Sequence, residues 1–347
     1  MPFVCLPDEG LGWPGGDNYL TVLRSALTSL EDQGLLKLLE KPSSGVFVRI
    51  LPFGYKTRRD SVYMEKKTNA LHLPWPLLPG IKNPIQWIPD LQDVEEPDFF
   101  SEEERIARKI QILNAIEINT AFYFSSKYCE DLFIKTYPEG KSLGLLRFSV
   151  SRSKKRAKLP LNCDDCMAHG FYYSPNNWWR HKNHMLLLDS FLGYKLQGGK
   201  KHLVLSGTRG DYRWPKYAHE IEKKIAKISD IHYLGFVREN EKNSLIWNAF
   251  CLIQPSLYEG WSTSVEEALI YNRNLILSDL PVHLEQMNGV QNFIAFDRRS
   301  EESLIKSMLE LEQSGIMSPK VNYQDREARF LGDLQALLGA AFTHKNG

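Results

Sequence analysis

Short apolar runs alternate with amphipathic stretches along most of the chain. FVCL (3–6), VFVRIL (46–51), IQWI (85–88), AFYF (121–124) and GLLRFSV (144–150) read as strands in the first half. FYYS (171–174), HLVLSG (202–207), IHYLG (231–235), CLIQPS (251–256), LILSD (275–279) and FIAF (293–296) continue the series. Runs so short and so evenly apolar suit strands covered on both faces, because a half-exposed strand alternates instead. Helix-like segments separate most of them. The clearest is SEEERIARKIQILNAIEI, in which Ile106, Ile110, Leu113 and Ile116 recur at helical spacing behind a Ser101–Glu104 capping box. Strands alternating with helices predict an α/β protein with parallel sheets.

The alternation breaks at SRSKKRAKLPLNCDDCMA (151–168), which is polar, basic and aperiodic, as an inter-domain linker is. A chain of 347 residues is long enough for two domains. The expected division is 1–160, 161–322 and a C-terminal helix within 323–347, with no indication of which domain the helix docks on. Residues 53–84, rich in Pro, Gly and aromatic side chains, fit neither period.

Composition narrows the class. Hydrophobic residues make up 43% and charged residues 24%, and the net charge is +1, so no overall field draws in nucleic acid or anionic lipid. No segment approaches the ~20 apolar residues of a membrane helix, and MPFVCLPDEG lacks the basic-then-apolar pattern of a secretory signal. Five cysteines without framework spacing point to a reducing compartment. The expectation is a cytoplasmic protein, peripheral at the inner face of a membrane at most. Cys163 and Cys166 have the spacing of a metal-ligand pair, and His169 offers a third ligand. No second pair lies nearby in sequence, so no metal is expected there.

The densest chemistry is PSLYEGWSTSVEEAL (255–269). A strand ends at CLIQPS and a helix begins near Thr263. Glu259 falls in the loop beyond the carboxyl end of the strand, where open α/β sheets bind ligands, and Glu267 falls eight positions later on the helix. Free N–H groups near Ser262 and Thr263 make an anion site. A diphosphate between two hydroxyl-rich ends fits this layout, which describes a nucleotide sugar. A helix-capping role, pairing Thr263 with Glu266 or Ser264 with Glu267, is the competing structural reading.

The stretch PSLYEGWSTSVEEALIYNRNLILSDLPVHLEQ resembles the donor-site segment of retaining glycosyltransferases of family 4, which have two Rossmann-like domains facing each other across a cleft (the GT-B architecture). The resemblance covers most of residues 169–310 and more loosely 10–150. It implies an N-terminal acceptor domain and a C-terminal donor domain, with Glu259 beside the sugar and reacting centre, flanked by Gly260, and Glu267 on the ribose hydroxyls. Lys182, in SPNNWWRHKNHMLLLDSF, corresponds to the family's phosphate lysine; the usual arginine five positions earlier is Asn177, with Arg180 as the available substitute. Gly207 in LSGTRGDY would let the backbone approach a phosphate or base. Val237 in YLGFVREN occupies the base-contacting turn. In the first domain Gly15 and Gly16 are expected to form a loop before a helix capped near Asp17, and the resemblance implies that this loop touches donor phosphate or acceptor. Asp90 and Gln92 are the polar candidates where relatives often carry a His-Asp pair; here Pro89 precedes Asp90.

The resemblance implies sugar transfer from a nucleotide-diphosphate donor to a glycan or lipid-linked hydroxyl, with retention and with Glu259 and Asp90 as the catalytic candidates. No Asp-x-Asp pair follows a strand, so neither a metal nor another cofactor is expected. Two rivals stand beside this reading: a nucleotide-sugar epimerase of the same architecture, and a non-catalytic nucleotide-sugar-binding subunit.

Overall fold

The computed structural model describes residues 3–5, 14–38, 49–50, 55–56, 70–72, 85–150, 158–160, 164–315, 319 and 321–346. Most of the aromatic-rich stretch 53–84, the basic run before Lys158, and Cys163 lie outside these. In chain order the elements begin β1 (Phe3–Cys5), α1 (Pro14–Asp32), β2 (Lys37–Leu38), β3 (Arg49–Ile50), β4 (Tyr55–Lys56), β5 (Ala70–His72), β6 (Ile85–Ile88), α2 (Gln92–Glu95), α3 (Glu102–Glu117), β7 (Ala121–Phe124), α4 (Lys127–Thr136) and β8 (Lys141–Leu145). They continue with α5 (Asp164–His169), β9 (Phe171–Pro175), α6 (His184–Leu196), β10 (His202–Ser206), α7 (Tyr217–Ile225), β11 (Ile231–Tyr233), α8 (Glu239–Asn248), β12 (Cys251–Gln254), α9 (Thr263–Ile270), β13 (Asn274–Ser278), α10 (Pro281–Gln286), β14 (Ile294–Phe296), α11 (Glu301–Ser314) and α12 (Tyr323–Asn346).

The chain divides into two compact units: residues 1–91, 102–150 and 324–347 in one, residues 92–101 and 151–323 in the other. In the first unit β1 pairs in parallel with β2 and β5, and β6, β7 and β8 form a second parallel sheet, beside a small antiparallel β3–β4 pair. Tyr19 of α1 stacks on Trp87 at 4.0 Å and shares a hydroxyl bond of 3.2 Å with Tyr123. The C-terminal helix docks here: Arg147 holds Asp333 of α12 through a forked pair, Nε to Oδ2 at 3.0 Å and Nη2 to Oδ1 at 2.9 Å.

Three expectations for this unit are corrected. The strand expected at 144–150 lies at Lys141–Leu145. Gly144, at φ +100°, marks an irregular register against β7, and the Arg147 N–H goes to Asp333 rather than to a ladder. The α3 stripe is helical but not the buried face. Ile106 and Ile110 are each 50% exposed and Leu113 is 43% exposed, whereas Ile112 and Ala115 are buried. Gly15 and Gly16 do not form a loop, because α1 already starts at Pro14. Proline at a first helical position has the right φ and lacks an N–H that would be orphaned there, so the helix begins earlier than Asp17.

The second unit is one six-stranded parallel sheet in the order β11-β10-β9-β12-β13-β14. Strands β9, β10, β12 and β13 are buried apart from the last residue of β9, as uniformly apolar runs require when helices cover both faces, while the edge strands β11 and β14 are partly exposed. The chain proceeds outward from β9 through β10 to β11, then returns to lay β12 on the other side of β9. The sheet therefore reverses direction between β9 and β12, and the loops leaving their carboxyl ends diverge into a crevice. Residues 92–101 belong to this unit: Arg299 bonds Glu96 at 2.9 Å, and the guanidinium of Arg213 lies 4.2 Å from the ring of Phe100. No helix among the described residues is long and apolar enough to cross a membrane.

Candidate functional site

The crevice between β9 and β12 is closed at its base by an amide pair. Asn176, just beyond β9, and Gln254, the last residue of β12, bond side chain to side chain at 3.0 and 3.2 Å. Above them the two loops are tied together by the backbone. Leu257 N–H donates to the His181 carbonyl at 2.7 Å, and the Asn183 side chain donates to the Pro255 carbonyl at 3.1 Å and the Arg298 carbonyl at 3.0 Å. Asn183 is left-handed (φ 57°), a conformation that Asn tolerates well, and this turns the Arg180–Lys182 3-10 segment back over the crevice before α6 begins.

These ties bring Lys182 and Glu259 together. Lys182 Nζ donates to Glu259 Oε1 at 2.6 Å, and the same oxygen accepts from Ser256 Oγ at 2.6 Å and Gln254 Nε2 at 2.8 Å. Glu259 is buried. Burial alone would push its carboxyl up, but the Lys182 ammonium, with the neighbouring His181 and His283, outweighs burial and holds it down at about 2. The two imidazoles move the other way. Burial, helped by Lys182, lowers His181 to about 3; burial lowers His283 to about 4, with Glu259 opposing. Near neutral pH the pocket therefore holds an ammonium–carboxylate pair among neutral imidazoles.

Glu267 sits on α9 and pairs with Lys242 of α8 at 2.5 Å. The helix-capping reading of the glutamates does not hold. The N-cap of α9 is Ser262, whose side chain makes no capping bond, and its backbone is held instead by Gln286, which donates to the Ser262 carbonyl at 3.0 Å and accepts from its N–H at 3.1 Å. Glu266 accepts from Gln286 and from Tyr323. Gly260, Ser262 and Thr263 thus form a rigid lead into the first turn of α9, beside Glu259.

Other expected residues have different partners. Arg180 lies with its guanidinium 3.8 Å from the Trp214 ring and 5.3 Å from the Phe99 ring, so it is engaged by aromatic faces next to Lys182. Asn177, in place of the usual arginine, accepts from the Thr208 N–H at 2.8 Å. Gly207 has φ +139°, and a Cβ there would meet the Asn176 carbonyl oxygen at 2.3 Å. What requires the glycine is the close approach of the β9 and β10 loops. Val237 lies half-buried in the turn after β11. Asp90 belongs to the first unit and pairs with Arg108 at 3.3 Å; Gly15 and Gly16 are in the same unit. Gln254, Ser256, His181, His283 and Gln286 were missed. For Gln254 and Ser256 a signal existed, polar residues closing an otherwise apolar strand; for the others only the fold supplies it. Among the described residues, Cys166, His202 and His232 have metal-ligand spacing, toward the opposite ends of the strands.

Residues 171–314 match the family model of group 1 glycosyl transferases. The matched segment coincides with the six-stranded sheet and contains Asn176, Lys182, Gln254, Glu259 and Glu267. Over 243 residues the chain is 24% identical to the O-antigen chain mannosyltransferase RfbU of Salmonella typhimurium; that match spans 67% of this chain and 63% of the relative, less than two thirds of its length. Among solved structures, HepE of Anabaena in complex with UDP and glucose superposes with a TM-score of 0.63 at 12% identity, covering 99% of each chain. Sucrose-phosphate synthase of Thermosynechococcus elongatus gives 0.60 at 12% identity, covering 100% of this chain and 94% of the other. At such identities the likeness establishes the fold, GT-B.

Proposed function

We propose that this protein is a retaining glycosyltransferase that moves a sugar from a nucleotide-diphosphate donor to an acceptor hydroxyl in glycan synthesis. One observation carries the reading: a buried, ionised Glu259 bonded to Lys182 at the reversal point of the glycosyltransferase sheet. An ion pair so deeply placed is a weak source of stability, since desolvation offsets much of the attraction. It suits a site that must meet charge on both sides of a breaking bond. In the proposed reaction the bond from the anomeric carbon to the diphosphate oxygen breaks while the acceptor oxygen bonds on the same face. The acceptor proton passes to the leaving oxygen. Lys182 and the first-turn N–H groups of α9 after Ser262, whose own N–H goes to Gln286, stabilise the departing diphosphate, and Glu259 orients the sugar and offsets positive charge at its anomeric carbon. Glu267 receives the ribose hydroxyls, with Lys242 holding its carboxylate in place. Arg180, stacked on Trp214, adds positive potential without a flexible side chain. Asp90, Gly15 and Gly16 are proposed for the acceptor side.

In this proposal Lys182, Arg180 and the start of α9 hold the diphosphate, with no divalent metal at this site. HepE has been solved with UDP-glucose, which makes UDP-sugars the first donors to try; RfbU, an O-antigen chain mannosyltransferase, directs attention to polysaccharide acceptors. A panel of UDP-, GDP-, ADP- and CMP-sugars in thermal shift, without magnesium or manganese, tests the reading, since ligand binding to the folded state raises its stability. One base should stabilise the chain, and its sugar should be transferred to an acceptor glycan. A strict requirement for a divalent metal in donor binding, or an epimerised sugar formed without acceptor, would overturn it.

A further inference from the structure

Three side chains far apart in sequence meet at the edge of the six-stranded sheet, away from the crevice. His202 is the first residue of β10. His232 is the middle residue of β11, the edge strand, where it stands in register with Val204. His202 and Val204 share one face of the pleat, as do registered neighbours, so both histidines project from the same face. Cys166 of α5 reaches that face because the helix ends immediately before the sheet. Gly170, at φ +81°, closes the helix by donating to the Cys166 carbonyl at 2.9 Å, and its own carbonyl accepts from the His202 N–H at 3.1 Å.

The donor atoms of the three lie within 4.8 Å of one another, and His202 Nδ1 and His232 Nε2 are 3.1 Å apart. Ligands of tetrahedral zinc, with Zn–S about 2.3 Å and Zn–N about 2.0–2.1 Å, stand roughly 3.3–3.6 Å from each other. The imidazole nitrogens, hydrogen-bonded at 3.1 Å, need to open by only a few tenths of an ångström and give up that bond to the metal, and the sulfur needs to close by little more than roughly 1 Å. Cys166 and His202 are buried and His232 half-buried, so the cluster is enclosed yet reachable. His169, three residues after Cys166 on the same short helix, is exposed, with its ring 6.2 Å from that of His202; it stands outside the set of three and would have to swing its ring inward to join it.

We infer that Cys166, His202 and His232 form a structural zinc site, with His169 as fourth ligand. Binding releases the Cys166 thiol proton to solvent and moves one imidazole proton to its outer ring nitrogen, so that thiolate and two neutral imidazoles face the metal. A soft thiolate with imidazoles selects zinc over magnesium or calcium, which take oxygen ligands. The site would pin the edge strand to the helix that leads from the segment around 151–163 into the sheet. It is remote from Glu259 and carries no step of the proposed transfer.

The test uses the full chain, reduced, stripped with a chelator and dialysed. Zinc should bind at one equivalent and raise the melting temperature. Cobalt in its place should give the absorption of a thiolate-ligated tetrahedral centre. Cys166→Ala should abolish the thiolate absorption, and His232→Asn, at a half-buried position that tolerates change, should weaken zinc by more than roughly tenfold, since even loss of a supporting residue around a metal has that effect. If Cys166→Ala fails to fold, His232→Asn and His169→Ala decide the matter. Absence of stoichiometric zinc in the wild type, or unchanged affinity in His232→Asn, would overturn the proposal.

Discussion

Lys182 Nζ lies 2.6 Å from Glu259 Oε1, an oxygen that also accepts from Ser256 and Gln254, so a single carboxylate atom gathers three donors from two loops. Removing one partner strands the other. Lys182→Ala leaves a buried, uncompensated carboxylate and should destabilise the fold by about 3 kcal/mol or more. Adding Glu259→Gln should recover part of that loss. Urea denaturation of both single variants and the double variant measures the coupling; strict additivity would mean that the pair is not an interacting unit.

Lys182 should also matter for the donor. Once the variant is shown to be folded, Lys182→Ala should weaken nucleotide-diphosphate binding by roughly 1.5–3 kcal/mol, the range for a hydrogen bond to a charged group, and leave nucleoside binding nearly unchanged. Calorimetric titration separates the two ligands, and equal affinity of variant and parent for the diphosphate would remove Lys182 from the phosphate site.

The two glutamates should separate in kinetics. Ribose hydroxyls do not change during transfer, so Glu267→Gln should raise donor KM with little change in kcat. Charge develops at the sugar, so Glu259→Gln should lower kcat by on the order of 10²-fold. Wild-type kinetics from Glu259→Gln would show that the carboxylate serves the fold alone.

Acid should destabilise the protein in two windows. His181 and His283 have folded values of about 3 and about 4 against an ordinary 6.5, so the unfolded chain binds protons first and stability falls as pH drops below 6.5. Glu259, at about 2 against 4.5, contributes stability that is present above 4.5 and is lost as pH falls from 4.5 toward 2. Replacing His283 by Asn should flatten the dependence of unfolding free energy between pH 6 and 5 by about 1.4 kcal/mol per pH unit. An unaltered slope would mean that His283 is protonated in the folded state.

Gly207→Ala should destabilise strongly, because its Cβ would meet the Asn176 carbonyl at 2.3 Å and its φ of +139° disfavours any side chain. A loss of about 2 kcal/mol or more is expected in thermal or urea unfolding, with weaker donor binding through displaced loops. Gly210, also at positive φ but with open space around a Cβ, is the control for backbone strain alone.

Much of this protein is legible along the chain. IQWI and AFYF are strands at their expected residues, and FYYS, HLVLSG and CLIQPS begin theirs where expected, because a buried parallel strand needs a short run of apolar residues and this is a local property. The placement of Glu259 in a loop beyond a strand and of Lys182 in a turn before a helix was legible too, since both are set by nearby residues. Tertiary structure alone decided the rest. The sequence cannot tell that Arg147 would take Asp333 and so seat α12 on the first unit, or that the Ile106–Ile110–Leu113 stripe would face outward. Nor does it reveal that Gln286, rather than a capping box, holds Ser262, or that Cys166 would meet His202 and His232 instead of a second cysteine pair. Each of these depends on which segments the strand order brings side by side, and that order follows from packing the whole sheet, not from the period of any one run.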